Sequence, residues 1–153
     1  MDPKRVGAIA ATFVAVGMGV GAVGSVATGW AEAAFAIEAG GDAARFGPVF
    51  VAQLYLSVTA AALVAAPVLA GVVGVLFGSR SYDHAEAAGT CGVGTAVGAF
   101  GYGSVIVAIV VASQGAAAEQ AYGLLEATRP ILVTAIVSGG VGAATGVLGV
   151  RLG

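Results

Sequence analysis

The chain has 153 residues, room for one domain, and 59% of them are hydrophobic against 9% charged, with a mean hydropathy of +1.01. That composition excludes an ordinary soluble globule and indicates a membrane protein. A net charge of −2 without a basic cluster excludes a nucleic-acid partner, and one cysteine (Cys91) with one histidine (His84) excludes an intramolecular disulfide and a His- or Cys-rich metal site.

The first apolar run, residues 6–29, is longer than the roughly 7–15 residues of a signal-peptide core and is expected to be a retained span. It contains GMGVGAVG, in which Gly19, Gly21 and Gly24 match G-x-G-x-x-G literally. A dinucleotide loop needs a strand before the glycines and a helix after them. Inside a span the backbone must satisfy its own hydrogen bonds, so the cofactor reading falls and no cofactor is expected. On a helix, Gly17, Gly21 and Gly24 instead share one face, with Thr28 continuing it. Such small-residue faces let membrane helices approach closely.

Residues 30–48 form the first connection, with Trp30, Phe35 and Phe46 at the boundary, where aromatic rings favour the headgroup layer. Segment 31–37 either continues the first helix or lies along the membrane surface. The second span, 49–78, carries Gly71 and Gly74, with Gly78 at its end and Pro67 near mid-bilayer, where it removes the N–H that the Leu63 carbonyl would accept. Gln53 and Ser57, one turn apart on that helix, either line a cavity or bond to backbone and neighbouring helices.

The short connection 79–86 contains Tyr82-Asp83-His84-Ala85-Glu86, an acid–imidazole–acid set without a linked nucleophile and therefore most simply a polar turn. The third span, 87–113, repeats the glycine face with Gly94, Gly98 and Gly101, and Cys91 reads as a small buried hydrophobe. Connection 114–130 leads to the fourth span, 131–150, with Gly139, Gly142, Gly146 and Gly149. Each span meets the roughly 20 residues that a hydrocarbon core of about 30 Å requires, so the expected fold is an all-α integral membrane four-helix bundle.

Lys4, Arg5, Arg80 and Arg151 fall on one side of the bilayer, and Arg45 and Arg129 on the other, which predicts both termini in the cytoplasm. The outer connections share Ala-Glu-x-Ala-aromatic (31–35 and 118–122), then Glu38 or Glu126, then Arg45 or Arg129 shortly before Pro48 or Pro130, which are expected to open the next helices. With Gly-Val-Leu at 74–76 and 146–148, this suggests a duplicated two-helix hairpin with halves 1–80 and 87–153. The outer acids Glu32, Glu38, Asp42, Glu119 and Glu126 read as a solvated rim rather than a cation site.

The Ala/Gly/Val-rich spans, the single Lys, the missing Asn and the acidic outer connections resemble small four-span membrane proteins of extreme halophiles, cellular or viral. The glycine-repeat first helix within a hairpin also resembles proteolipid subunits of rotary ATPase rings, a family that carries its ion on a mid-helix carboxylate. Neither 49–78 nor 131–150 contains Asp or Glu, so that likeness stops at layout and its mechanism is rejected. The expected function is a non-enzymatic structural or accessory subunit whose partners are the bilayer and either itself or another membrane subunit. The alternative is a channel or small-solute carrier using Gln53, Ser57 and Pro67; a lipid-directed enzyme built on Asp83, His84 and Glu86 comes third.

Overall fold

A computed structural model describes residues 1–37, 42–113 and 124–153. They form four helices, α1 (Pro3–Ile37), α2 (Asp42–Gly78), α3 (His84–Ser113) and α4 (Leu124–Leu152), and no strand among the described residues. All four contain spans long and apolar enough to cross a bilayer, so the expected all-α membrane bundle is the fold and the chain is a multi-pass integral membrane protein. Glycine and valine are weak helix formers in water, but lipid offers the backbone no other partner, and helix is the conformation that satisfies every N–H and C=O locally.

Side-chain caps set two of the helix starts. The Lys4 N–H donates to Asp2 Oδ1 at 2.9 Å, with Pro3 at the first helical position. The Ala85 N–H donates to Asp83 Oδ1 at 3.1 Å, with Glu86 at capping-box spacing. Between these starts, α2 closes into a tight turn in which the Ser81 N–H donates to the Gly78 carbonyl at 2.9 Å. Arg5 of α1 reaches this turn, its Nη1 donating to the Arg80 carbonyl at 3.3 Å and to Ser81 Oγ at 3.0 Å. Both termini and the α2–α3 turn thus occupy one end of the bundle, called here the termini end.

At the opposite, far end the helices run past the spans that hydropathy marks. Segment 31–37 continues α1, while α2 begins at Asp42 and α4 at Leu124, each seven residues before the apolar stretch that predicts it. Pro130 consequently stands inside α4 rather than in its opening turn. Hydropathy reports where lipid begins, whereas a helix continues into the interface wherever its backbone still bonds to itself. Glu38, Glu119 and Tyr122 of the outer connections lie outside the described residues, as do the side chains of Phe35, Asp42, Arg45, Pro48 and Glu126.

In cross-section the helices form a rhombus. α3 packs on α1 and α4, α4 packs on α2, and α2 meets α3 across the short diagonal; α1 meets α2 more sparsely and does not reach α4 among the described residues. α3 touches all three others and has 44% of its apolar 18-residue stretch buried, against 22% for that of α1. α1 is therefore the peripheral helix and α3 the hub.

Candidate functional site

The α1–α3 seam joins two parallel helices through reciprocal differences in size. α1 buries one stripe, Ile9, Phe13, Gly17, Gly21, Gly24 and Thr28, at intervals of three or four residues. In its first half α1 supplies the bulk. A Cβ added to Gly94 would lie 3.0 Å from Ile9 Cβ, and one added to Gly98 would lie 2.9 Å from the Phe13 ring. Further along, the roles exchange: a Cβ on Gly17 would meet Tyr102 at 3.1 Å, and one on Gly21 would meet Ile109 at 2.8 Å. The Phe13 and Tyr102 rings meet edge to face at the changeover, with centroids 6.4 Å apart and planes at 88°. Gly24 turns toward α2, 3.0 Å from Val58 by the same measure, whereas Gly19, the first glycine of the literal fingerprint, has nothing within 4 Å.

The α2–α4 seam is also parallel but brings backbone to backbone. A Cβ on Gly78 would collide with the Gly146 carbonyl, and one on Gly149 would lie 2.6 Å from the Val75 carbonyl oxygen. Moving away from the termini end the helices separate. A Cβ on Gly74 would still meet Thr145 Oγ1 and sit 2.9 Å from the Gly142 carbonyl oxygen, but on Gly71 the nearest atom is Val141 Cγ1 at 3.7 Å. The antiparallel α3–α4 seam completes the set, with Gly139 against Ala96, Gly142 against Thr95, and Gly146 against Cys91.

Three side chains tie the seams with hydrogen bonds. The buried Thr95 hydroxyl lies 3.0 Å from the Ser138 carbonyl of α4 and 2.7 Å from its own helix at Cys91. Tyr102 donates to the Ala62 carbonyl of α2 at 3.0 Å, one residue before the carbonyl that Pro67 leaves without its helical donor. Cys91 Sγ lies 3.8 Å from the Gly74 carbonyl oxygen, a weak thiol donation across the same diagonal. Sequence reading singled out neither Thr95 nor Tyr102. The available signal was a large polar residue flanked by Gly101 and Gly103, where a ring has space and its hydroxyl needs a partner.

The residues considered for transport and catalysis are dispersed. Gln53 and Ser57 are exposed on the outside of α2, and the Ser57 hydroxyl donates at 2.8 Å to the Gln53 carbonyl. Pro67 lines an open groove of about 700 Å³ on the bundle exterior, between residues 60–67 of α2 and 129–137 of α4. Its walls are almost entirely apolar, and Arg129 stands at its far end. At the opposite end of the bundle, Asp83 caps α3 and Glu86 lies 3.6 Å from the Met1 amino group. Among the described residues no three His, Cys, Asp or Glu side chains converge as a metal site.

Comparison with known protein families, curated proteins and solved structures finds no match for this chain.

Proposed function

We propose that this protein is a non-enzymatic structural or accessory membrane subunit, with both termini cytoplasmic, that assembles with a second copy or another membrane subunit through the outward face of α1. The observation that carries this reading is that α1 has two small-residue faces and its neighbours occupy one. Gly17 and Gly21 are covered by α3, whereas Ala11, Ala15, Gly19 and Ala22 form a second exposed stripe at helical spacing. Glycine within a helix costs about 1 kcal/mol relative to alanine, so Gly19, where an added Cβ would meet nothing within 4 Å beyond its own helix, suits a position that a neighbouring backbone approaches. The polar groups of the termini end fit the same reading, because Asp83, Glu86 and Arg5 are engaged in capping and pairing.

The test compares two glycines two residues apart. Gly19→Leu should lower the assembly size, measured by cross-linking in the membrane and by light scattering in detergent, while leaving the helix content and melting of the single chain intact. Gly21→Leu should instead destabilise the chain itself, since its side chain would enter the space of Ile109. A wild-type chain that is solitary in its native membrane, or an assembly indifferent to Gly19→Leu, would refute the reading.

A further inference from the structure

The geometry points to a binding site for one anionic phospholipid in the groove between α2 and α4, with a hydrocarbon chain lying along the groove and the phosphate on Arg129.

The groove follows from the glycine distribution. α2 and α4 touch through backbone at Gly78 and Gly146, loosen at Gly74, and at Gly71 are no closer than ordinary van der Waals contact. Beyond Gly71 the facing residues carry side chains, including Leu63, Pro67, Val133 and Val137, and the helices leave a cleft between them. Two parallel helices pinned at one end and spread by larger residues at the other enclose a wedge that opens sideways to the bilayer.

Three properties of that wedge select the occupant. It runs over eight residue steps of α4, from 129 to 137, which at 1.5 Å per residue is about 12 Å, close to the half-thickness of a hydrocarbon core of about 30 Å. A single leaflet's chain descends to that depth. Its walls are apolar, and its volume of about 700 Å³ falls within the roughly 300–1,000 Å³ of ligand-sized clefts. Its one charged lining residue is Arg129, exposed at the edge of the fourth span, where a phosphate sits and where a guanidinium offers a forked pair of donors. Of the carboxylates whose side chains are described, Asp2, Asp83 and Glu86 lie at the opposite end of the bundle and Glu32 is on α1, which does not reach α4; Glu126, three residues before Arg129 on α4, and Asp42, at the start of α2, belong to the same end as Arg129. A neutral headgroup would satisfy the apolar walls equally well, but the cation at the mouth adds a preference for net negative charge.

The experiment counts bound lipid. Purified protein in non-ionic detergent is incubated with equal amounts of phosphatidylglycerol and phosphatidylcholine, and native mass spectrometry reads the lipid retained per chain. One phosphatidylglycerol should be retained, favoured about five-fold over phosphatidylcholine by a single interfacial cation. Arg129→Gln should erase the preference and Arg129→Lys keep most of it. Ala60→Trp, which fills the groove from an exposed position, should lower the occupancy of both lipids. Arg151→Gln, at the termini end, should change neither. Equal retention of the two lipids by the wild-type protein, or a preference that survives Arg129→Gln, overturns the proposal. The wild-type measurement holds even if a variant fails to fold.

Discussion

The two parallel seams contain similar residues and work differently. Along α1–α3 the glycines mostly face bulky side chains, Ile9 on Gly94, Phe13 on Gly98 and Ile109 on Gly21, while Gly17 meets the Tyr102 main chain as closely as its ring. Along α2–α4 glycine faces glycine and main chain, Gly78 on Gly146 and Gly149 on Val75. A side chain can change rotamer or tilt a ring to admit a methyl group, but a helix backbone moves only as a unit. The lesson is that small-residue spacing describes a flat surface and leaves its occupant undefined, either a knob that yields or a second flat surface that does not.

Substitutions can break or sharpen this contrast. The largest effect should come from Gly78→Ala, whose methyl would collide with the Gly146 main chain; a loss near the upper end of the overpacking range, about 3 kcal/mol, is expected in denaturant titration of helicity. Gly98→Ala should cost less, about 1 kcal/mol, since the Phe13 ring is what must shift, and in a Phe13→Leu background the two changes should cost less together than their sum. If Gly78→Ala proves no more costly than Gly98→Ala, the distinction between the seams is wrong. Tyr102→Phe removes the bond to Ala62 but keeps the ring against Gly17, and about 0.6 kcal/mol should be lost, the average for interhelical bonds in a membrane. Gly19→Ala should not destabilise the single chain, because nothing lies within 4 Å of the added methyl, and the better helix former should leave it unchanged or more stable by at most about 1 kcal/mol.

Much of the architecture is legible in the sequence for one physical reason. Four uncharged runs separated by polar connections admit only helices in a medium without hydrogen-bond partners, so element type and number follow from hydropathy. Helix ends are less legible: α2 and α4 begin seven residues early because water at the interface tolerates polar helical turns that a hydropathy window reads as connection. The segment 82–86 reads in the sequence as a polar turn, and what the spacing leaves open is the cap itself, in which the Ala85 N–H donates to the Asp83 carboxylate at the start of α3. Gln53 and Ser57 share a face by periodicity alone, and whether that face points to a cavity or to lipid depends on where α3 and α4 stand.

By itself, then, the sequence determined that the chain enters a bilayer, that it does so as four helices, and which faces are smooth, because lipid burial and helical periodicity are local properties of a segment. Tertiary structure alone decided which smooth face meets which partner: Gly98 under Phe13, Gly78 against Gly146, Gly19 against nothing in its own chain, and Pro67 beside an open cleft. Those pairings depend on registers between residues about 70 to 85 positions apart, such as Gly78 with Gly146 or Phe13 with Gly98. Close packing across several helices selects such registers together, and no single segment encodes them.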